Sequence, residues 1–520
     1  MRSVARIADR LSLGARRSAI ASGVFLIVVL CSAHVGSPDT FFEGKAGPYP
    51  VRVIIRSPAV IPARAEIIVR VRGNGVRRVT ATPRIWNGGD RGAPPPDPAT
   101  RVPGDSTLWS LQLWIMRQGS YGVLVRVEGS AGSGTAVVPY TAVAQAVLKM
   151  NGTLAVVLGA LGIFLVAGLL TIVGAATREA TLAPGVDPDA AGEHRARNVR
   201  RVALATIIAV LTGGRIWWVA EDRAYARAVF RPVAPAVTVR AETLPPSRPN
   251  SKVRAVTRTL RLAMAPAGPG RLGGTPLLPD HGKLMHLFLV KAGGLGAMAH
   301  LHPAALDALT FESALPPLPA GRYHLFADVV LETGFAETMV QEVSLDAGLG
   351  GWAAHDADDA IYTGGSGTPA HFDDGSTLSW EGAATPHVAN ADAMLHFTLR
   401  DAKGAPLDVE PYLGMAAHAV VVRSDGGVYV HLHPAGTTSL GAQQALLAWT
   451  PADSVRGALR AKVEREQETM AAMTERLPGE FSFPYAFPKA GRYRVWVQFR
   501  RGAIHTAAID VEVRDGGGAR

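Results

Sequence analysis

The residues best suited to chemistry are histidines that recur in two matching segments of the chain. His286–Pro303 and His418–Pro434 each begin with a histidine and end with His-Leu-His-Pro. Imidazole nitrogens bind Cu(II), Zn(II) and Ni(II), and thioether sulfur favours Cu(I). Cys31 is the single cysteine, which excludes intrachain disulfides and CxxC metal sites. Metal chemistry in this chain would therefore use His, Met and carboxylate side chains.

Each segment predicts a β-hairpin whose turn decides which histidines face each other. In the second segment Asp425-Gly426 is a two-residue turn signal, and pairing outward from it places His418 opposite His433. A three-residue loop at 293–295 places the first and last histidines of the other segment opposite each other in the same way. Directly opposed residues have Cβ atoms roughly 4.5–5.5 Å apart, and residues two apart share a face. The predicted metal ligands are therefore His286, His300 and His302 in the first hairpin, and His418, His431 and His433 in the second.

Two methionines could add a thioether to these histidine sets. Met298 continues the histidine face of the first hairpin, whereas Met415 precedes His418 by three residues and could curl onto the second set. We therefore expect the first site to bind Cu(I) better than the second. A lone histidine at a strand end commonly bonds a backbone carbonyl, so the repetition of three on one face is what favours metal. Further candidate ligands are His324, Glu337 and His505.

The histidine hairpins belong to a duplicated domain. The pattern P-x-x-G-x-x-x-H leads into both hairpins, and F-x9-G-R-Y follows both. We predict β-sandwich domains over 251–346 and 385–515, an acidic linker over 347–384, and a helical insertion at 454–476. A third Ig-like β domain is predicted over 42–142, which contains no histidine and is assigned no metal chemistry.

Apolar segments predict a membrane protein. Residues 1–33 are typical of a signal peptide or a first transmembrane helix, and 153–176 and 202–220 are predicted transmembrane helices. The intervening loop, 177–201, carries five arginines, which favours the cytoplasmic side. Residues 34–152 and 221–520 would then both lie on the outer, periplasmic side of the bilayer.

Other function classes find little support. The net charge is +10, but the basic residues are scattered without interleaved aromatics, which argues against nucleic-acid binding. No G-x-S-x-G, H-E-x-x-H or phosphate-binding glycine loop occurs in the sequence. An open tri-histidine site could activate water or oxygen, but no general base accompanies it at suitable spacing. We therefore expect a protein that is not an enzyme.

The P-x-x-G-x-x-x-H pattern, the paired HLHP and the Gly-x-Tyr strand starts resemble YtkA-like exported β-sandwich modules of bacterial envelope proteins. The likeness extends to membrane-anchored bacterial proteins with doubled HLHP motifs and covers roughly 251–515. Gly414-Met415-Ala-Ala-His418 is similar to the G-M-x-x-H part of such modules, whereas Lys283 stands where Met415 would be. The resemblance implies an Ig-like fold in the envelope and a connection with copper handling and cytochrome oxidase assembly.

These observations predict a mainly β protein with three Ig-like sandwich domains and two or three transmembrane helices in the bacterial cytoplasmic membrane. The expected function is copper binding, with zinc as the alternative metal, for buffering or for delivery to an envelope or membrane protein partner. The competing hypothesis is a structural or assembly module that contacts another membrane protein and uses its histidines for folding alone.

Overall fold

Strands make up most of the regular structure in this computed structural model, as the sequence predicts. The predicted signal peptide or first transmembrane helix, 1–33, lies outside the described residues. One compact unit contains all the β domains, and residues 143–231 form a second unit. The structure describes residues 34–35, 39–89, 92–180, 182–183, 185–243, 256–264, 276–347, 352, 354–454, 457–472 and 475–516.

The first domain consists of two antiparallel sheets. One sheet has the strand order β2-β3-β4-β8-β7 and the other β10-β9-β5-β6. Its strands alternate buried apolar with outward polar residues, so that Ile67 and Val69 are buried while Glu66 is exposed. The strands are β2 (Thr40–Ala46), β3 (Tyr49–Arg56), β4 (Ala63–Val71), β5 (Val76–Ile85), β6 (Asp97–Pro98), β7 (Thr100–Val102), β8 (Asp105–Ile115), β9 (Gly119–Gly129) and β10 (Gly132–Ala142). The preceding strand β1 (His34–Val35) pairs with a strand of the third domain.

The second unit contains two helices, α1 (Gly152–Glu179) and α2 (Ala190–Ala228). Both are long and apolar enough to cross a membrane. The predicted cytoplasmic loop, 177–201, includes the end of α1 and the start of α2, with residues 180–189 between the helices. The Asp189 side chain caps α2 by accepting a hydrogen bond from the Gly192 amide at 2.6 Å. The Ala, Glu and Arg residues that follow Asp189 favour a helix. Helix α2 therefore begins at Ala190, before the apolar segment 202–220.

The second domain again packs two sheets against each other. The sheet β11-β12-β17-β16 contributes Leu262 and Phe311 to a core completed by Leu287 and Leu325 of the sheet β13-β18-β14-β15-β20, in which β19 also pairs with β18. The strands are β11 (Ala236–Thr243), β12 (Val256–Ala263), β13 (Leu277–Leu278), β14 (His286–Lys291), β15 (Ala297–Leu301), β16 (Ala304–Ala305), β17 (Thr310–Ala314), β18 (Gly321–Leu331), β19 (Ala336–Leu345) and β20 (Ala360–Thr363).

The third domain repeats this arrangement. Its larger sheet has the order β1-β27-β26-β30-β31-β23, and the other β21-β22-β24-β29; β25 pairs with β28. The elements are β21 (Ala370–His371), β22 (Thr377–Glu381), β23 (His387–Val388), β24 (Ala393–Arg400), β25 (Asp408–Val409), β26 (His418–Arg423), β27 (Val428–Leu432), α3 (Leu440–Ala448), a 3-10 turn (Pro451–Ser454), α4 (Ala458–Ala471), β28 (Leu477–Pro478), β29 (Glu480–Tyr485), β30 (Gly491–Arg501) and β31 (Ala503–Arg514).

The segment 347–384, predicted as an acidic linker, contributes structure to both domains. Strand β20 extends the second domain's sheet by pairing with β15, and β21 and β22 belong to the third domain. Asp373, Asp374 and Gly375, which contributed to the linker prediction, form the turn between β21 and β22. The insertion predicted at 454–476 contains α4, and a further helix, α3, precedes it.

In all three domains a tyrosine hydroxyl donates a hydrogen bond to the backbone carbonyl four residues upstream. Each tyrosine follows a glycine by two residues, at the start of a long strand, and the glycines have φ near +135°. The contacts are Tyr121 to the Arg117 carbonyl at 2.9 Å, Tyr323 to Pro319 at 2.7 Å and Tyr493 to Lys489 at 2.6 Å. The Gly-x-Tyr similarity noted in the sequence therefore reflects the same local geometry in each domain.

The second and third domains pack through the faces of their hairpin sheets. Leu287 points into the core of its own domain, whereas its neighbour Phe288 joins a separate apolar cluster with Val420, Tyr429 and Trp496 of the third domain. Successive strand residues alternate between these two environments. Both hairpins are consequently buried on two sides, and their histidine-bearing faces meet each other.

Candidate metal centre

The two hairpins have the registers that their turns predict. Leu287 pairs with Leu301, which sets His286 beside His302, and Ala419 pairs with Leu432, which does the same for the second hairpin. The first and last imidazole rings of each hairpin have centroids 5.0 Å apart. The predicted cross-strand histidine pairs are thus confirmed.

In the first set, two imidazole nitrogens face each other at close range. His286 Nδ1 lies 3.1 Å from His300 Nε2. The outer nitrogen of each ring faces an oxygen, with His286 Nε2 3.1 Å from the Asp280 carbonyl and His300 Nδ1 2.8 Å from Gln498 Oε1. When each ring donates its N–H outward, the two inner nitrogens present lone pairs to the same space. Metal-binding histidines are oriented in this way.

His302 completes the first set. Its backbone amide and its Nδ1 both contact Asp359 Oδ1, at 2.7 and 3.1 Å. The other ring nitrogen, Nε2, is buried and has no hydrogen-bond partner among the described residues. The ring centroid is 4.5 Å from that of His300. Asp359 comes from the segment predicted as a linker, and it orients His302 as a carboxylate commonly orients a zinc- or copper-bound histidine.

The second set repeats the first. His418 Nδ1 lies 3.2 Å from His431 Nε2, and His418 Nε2 lies 3.1 Å from the Tyr412 carbonyl. His433 directs Nδ1 toward the Thr438 carbonyl at 3.3 Å, and its buried Nε2 has no hydrogen-bond partner within the described part of the chain. Each predicted trio of histidines is therefore brought together.

The two sets adjoin each other across the domain interface. The ring of His431 lies 5.1 Å from that of His286 and 5.6 Å from that of His300. His431 belongs to two groups whose ligand atoms all lie within 4.8 Å of one another, one with His286 and His300 and the other with His418 and His433, whereas His302 belongs to neither. The sequence predicts one site in each domain, whereas the structure joins both sites in a single centre.

Side chains from each domain also orient histidines of the other. Asp328 and Gln498 occupy matching positions, paired with His286 and His418 in their own sheets. Gln498 reaches His300 of the second domain, and Asp328 Oδ2 lies 3.7 Å from His431 Nδ1 of the third. Tyr429 donates to Asp328 Oδ2 at 2.6 Å, and burial raises the pKa of Asp328 to about 6.

Burial keeps five of the clustered imidazoles neutral. It lowers the pKa of His433 to about 4 and holds the pKa values of His286, His300, His418 and His431 well below the usual value; repulsion by neighbouring imidazolium charge adds to the effect. Neutral imidazole is the form that binds a metal ion. At pH 7 the centre therefore presents unprotonated nitrogen donors.

The candidate methionines lie near the centre in different settings. Met298 is buried in the apolar cluster between the domains, on the strand face that also carries His300. Met415 is half-buried in a turn closed by backbone hydrogen bonds with Tyr412. Metal binding by these two residues stays a prediction. Two further candidates lie in other contacts: His324 is 3.5 Å from Glu342, and His505 stacks on Phe499.

Sequence reasoning missed a seventh clustered histidine. His281 precedes the glycine of P-x-x-G-x-x-x-H, and its ring lies 4.8 Å from that of His433 and 5.2 Å from that of His418. Asp280, His281 and His433 place ligand atoms within 4.8 Å of one another. Leu413 occupies the matching position of the other repeat, so the repeat pattern did not single His281 out.

Comparisons with known proteins add little to this geometry. Residues 370–515 match a family described as a domain of unknown function, DUF8832. No curated protein matches the chain significantly. Among solved structures, alpha-2-macroglobulin of E. coli is 10% identical, with 93% of this chain and 23% of that one covered and a TM-score of 0.18. Latent PorU from Porphyromonas gingivalis is also 10% identical, with 92% and 34% covered and a TM-score of 0.14. This chain thus spans about a quarter and a third of those proteins, and such low TM-scores carry no argument.

Proposed function

We propose that this protein binds transition-metal ions at the histidine centre between its second and third domains. The observation that carries the proposal is the pair of facing nitrogens in each set, His286 with His300 and His418 with His431, at 3.1 and 3.2 Å. Burying polar nitrogens without partners costs free energy. An ion bound between them would remove that cost and satisfy the orphaned nitrogens of His302 and His433 as well.

Copper is the proposed metal, with zinc as the alternative. The donors are almost all imidazole, which suits both Cu(II) and Zn(II) and generally binds Cu(II) more tightly. Met298 lies on the histidine face of the first hairpin, where a thioether would favour Cu(I) at that site. The enclosed position of the centre suits buffering of the ion or its delivery to an envelope protein partner. No catalytic role is proposed.

The setting we propose is a membrane-anchored protein with three Ig-like sandwiches. The tyrosine-to-backbone hydrogen bond in each domain is typical of Ig-like Greek-key sandwiches. Helices α1 and α2 would cross the membrane, with the arginines near their connection in the cytoplasm. The β domains on both sides of this unit would then face the periplasm.

A structural role for the histidines is the competing function. Each outer ring nitrogen already faces an oxygen, and an N–H···N bond between rings would satisfy the inner pair without metal. In that case the centre would only fix the domain interface, and the protein would serve as an assembly module for another membrane protein.

Metal loading of the full-length protein in detergent distinguishes the two functions. We expect about two ions per chain after exposure to Cu(I), Cu(II) or Zn(II) and removal of loosely bound metal, measured by elemental analysis. The variant His302→Ala should lose about one ion, whereas His355→Ala, which changes an exposed histidine, should lose none. A folded wild-type protein that retains no metal would favour the assembly module.

The proposed topology is tested by reporter fusions after residues 140, 190 and 300. We expect the fusions at 140 and 300 to report an exported position and the fusion at 190 a cytoplasmic one, since the arginines lie near that point. Export of the fusion at 190 alone would reverse the orientation and remove the envelope setting from the proposed function.

A further inference from the structure

A loop of the second domain reaches into the histidine set of the third. Residues 280–283 form a tight turn closed by hydrogen bonds between Asp280 and Lys283, at 2.8 and 3.0 Å. Tyr412 and Met415 close the matching turn of the third domain at 2.8 and 3.1 Å. The second residue of each turn is left-handed, with φ +53° and +52°. These residues are His281 and Leu413, so the same backbone geometry carries an imidazole in one repeat and an aliphatic side chain in the other.

The helical insertion of the third domain fixes the His281 loop in place. The Gly282 amide donates to Gln467 Oε1 at 2.6 Å, and Gln467 Nε2 donates to the Pro279 carbonyl at 2.9 Å. The Gly441 amide, at the start of α3, donates to Asp280 Oδ1 at 2.9 Å. The second domain has no equivalent of α3 and α4 among its described residues. Helices α3 and α4 of the third domain therefore hold the loop that carries His281.

The His281 ring has an unsatisfied nitrogen beside His433, the member of the second histidine set with which its ligand atoms are grouped. Its side chain is 2% exposed, and Nε2 has no hydrogen-bond partner in the described part of the chain. The nearest carboxylate oxygen, Asp280 Oδ1, is 3.9 Å away and already accepts from Gly441. A left-handed conformation strains the backbone of a non-glycine residue, and an orphaned buried donor or acceptor also costs free energy. Both costs fall on the histidine of this loop.

We propose that His281 is the fourth ligand of the metal site formed by His418, His431 and His433. This inference rests on the proposed metal-binding function. The second set then has four imidazoles, the ligand number of a closed tetrahedral zinc or copper site. At the matching position of the first set Leu413 offers no donor. With His431 bound at the second site, the first site keeps its own three imidazoles and an open position for water or an exogenous ligand. The third-domain site retains its ion, and the second-domain site exchanges ions and accepts ligands.

The variant His281→Leu tests this division, because it gives the second-domain loop the residue found in the other repeat. Full-length protein in detergent is titrated with Co(II) and then competed with a chelator. Wild-type protein should bind two ions, one with the intense absorption of a four-coordinate tetrahedral site. Loss of a residue that only orients a ligand costs about 10–100-fold in affinity. His281→Leu should therefore weaken the tighter binding step by at least about 100-fold and leave the other step unchanged.

A second variant leaves the histidine in place and moves its loop. A Cβ on Gly441 would lie 2.4 Å from the Pro279 carbonyl oxygen, so Gly441→Ala should displace residues 279–282 and weaken the same step. Two bound ions with both steps unchanged in His281→Leu would overturn the fourth-ligand assignment and leave the proposed function standing. Equal weakening of both steps, or a wild-type spectrum without a tetrahedral ion, would also overturn it. Absence of metal from the wild-type protein would instead refute the proposed function.

Discussion

Acidification from pH 7 to pH 4 will sharply destabilise the metal-free protein. His281 and His433 have pKa values lowered from 6.5 to about 4 by burial, and four neighbouring histidines have pKa values lowered well below 6.5. Above pH 6.5 both folded and unfolded chains carry neutral imidazoles. As the pH falls below 6.5, the imidazoles of the unfolded chain bind protons while those of the folded chain stay neutral. The free energy of unfolding therefore decreases until about pH 4.

The expected loss of unfolding free energy is a large part of the stability of an ordinary domain, which is about 5–15 kcal/mol. Holding one imidazole pKa near 4 instead of 6.5 is worth about 3 kcal/mol, at about 1.4 kcal/mol per pH unit. Asp328 opposes this loss, because its pKa is raised to about 6 and the folded chain gains a proton there as the pH falls. Burial also raises the pKa of Asp280, in the same opposing sense. With more histidines than carboxylates in the centre, the net effect should be a loss of unfolding free energy on acidification.

Chemical unfolding at pH 7.5, 6, 5 and 4.5 measures this effect. Bound metal should shift the loss to lower pH, because an ion and a proton compete for the same nitrogen. His355→Ala should leave the profile unchanged, since His355 is exposed. His281→Leu should reduce the loss of unfolding free energy on acidification by about 3 kcal/mol, the contribution of one imidazole. A stability that stays flat between pH 6.5 and 4.5 would mean that water or protons already reach the centre.

Local signals in the sequence were sufficient for the hairpins. The Asp425-Gly426 turn and the 293–295 loop fix the strand registers, and strand alternation places the middle histidine of each set. The mainly β character follows from the same turn-rich, alternating composition. These features involve residues close in the chain, where turn chemistry decides the geometry.

Contacts between the domains could not be read from the sequence in the same way. Phe288 and Val420 point away from their own cores, and only the assembled structure shows that they meet each other. A signal was nevertheless present, since the strands of 286–290 and 418–422 are apolar on both faces, as is typical of strands covered on two sides. Asp359 and His281 act across many intervening residues, and no spacing rule links them to the hairpins.

The first domain, which has no histidine of its own between residues 42 and 142, supports the turn that follows the second histidine pair. Phe41 and Thr437 exchange two hydrogen bonds, at 2.9 and 3.0 Å, and the Glu43 amide donates to the Ala435 carbonyl at 2.8 Å. The turn itself is closed by hydrogen bonds between His433 and Gly436, both 2.8 Å. The first domain therefore contacts the backbone that positions one of the candidate ligands.

Replacing Gly436 with alanine should be among the most damaging single changes in the chain. Gly436 has φ +114°, and an added Cβ would lie 2.0 Å from the Phe41 carbonyl oxygen and 2.6 Å from its carbon. Both atoms belong to the backbone of β2, so the two domains would have to separate locally. We expect a loss of at least about 3 kcal/mol in unfolding free energy, combining backbone strain with this clash. Displacement of His433 should also weaken metal binding at the second set.

Gly132→Ala is the matched control for this change. Gly132 has φ +117°, nearly the same backbone strain, but an added Cβ there would meet nothing within 4 Å. It should therefore cost only the strain, about 1–3 kcal/mol, and leave the metal content unchanged. Urea unfolding and elemental analysis of both variants separate the two contributions, since the difference in midpoint reports the clash alone. Equal losses of stability with full metal content in both variants would mean that Phe41 moves aside without displacing His433. The contact between the first and third domains would then not be needed to position the metal ligands.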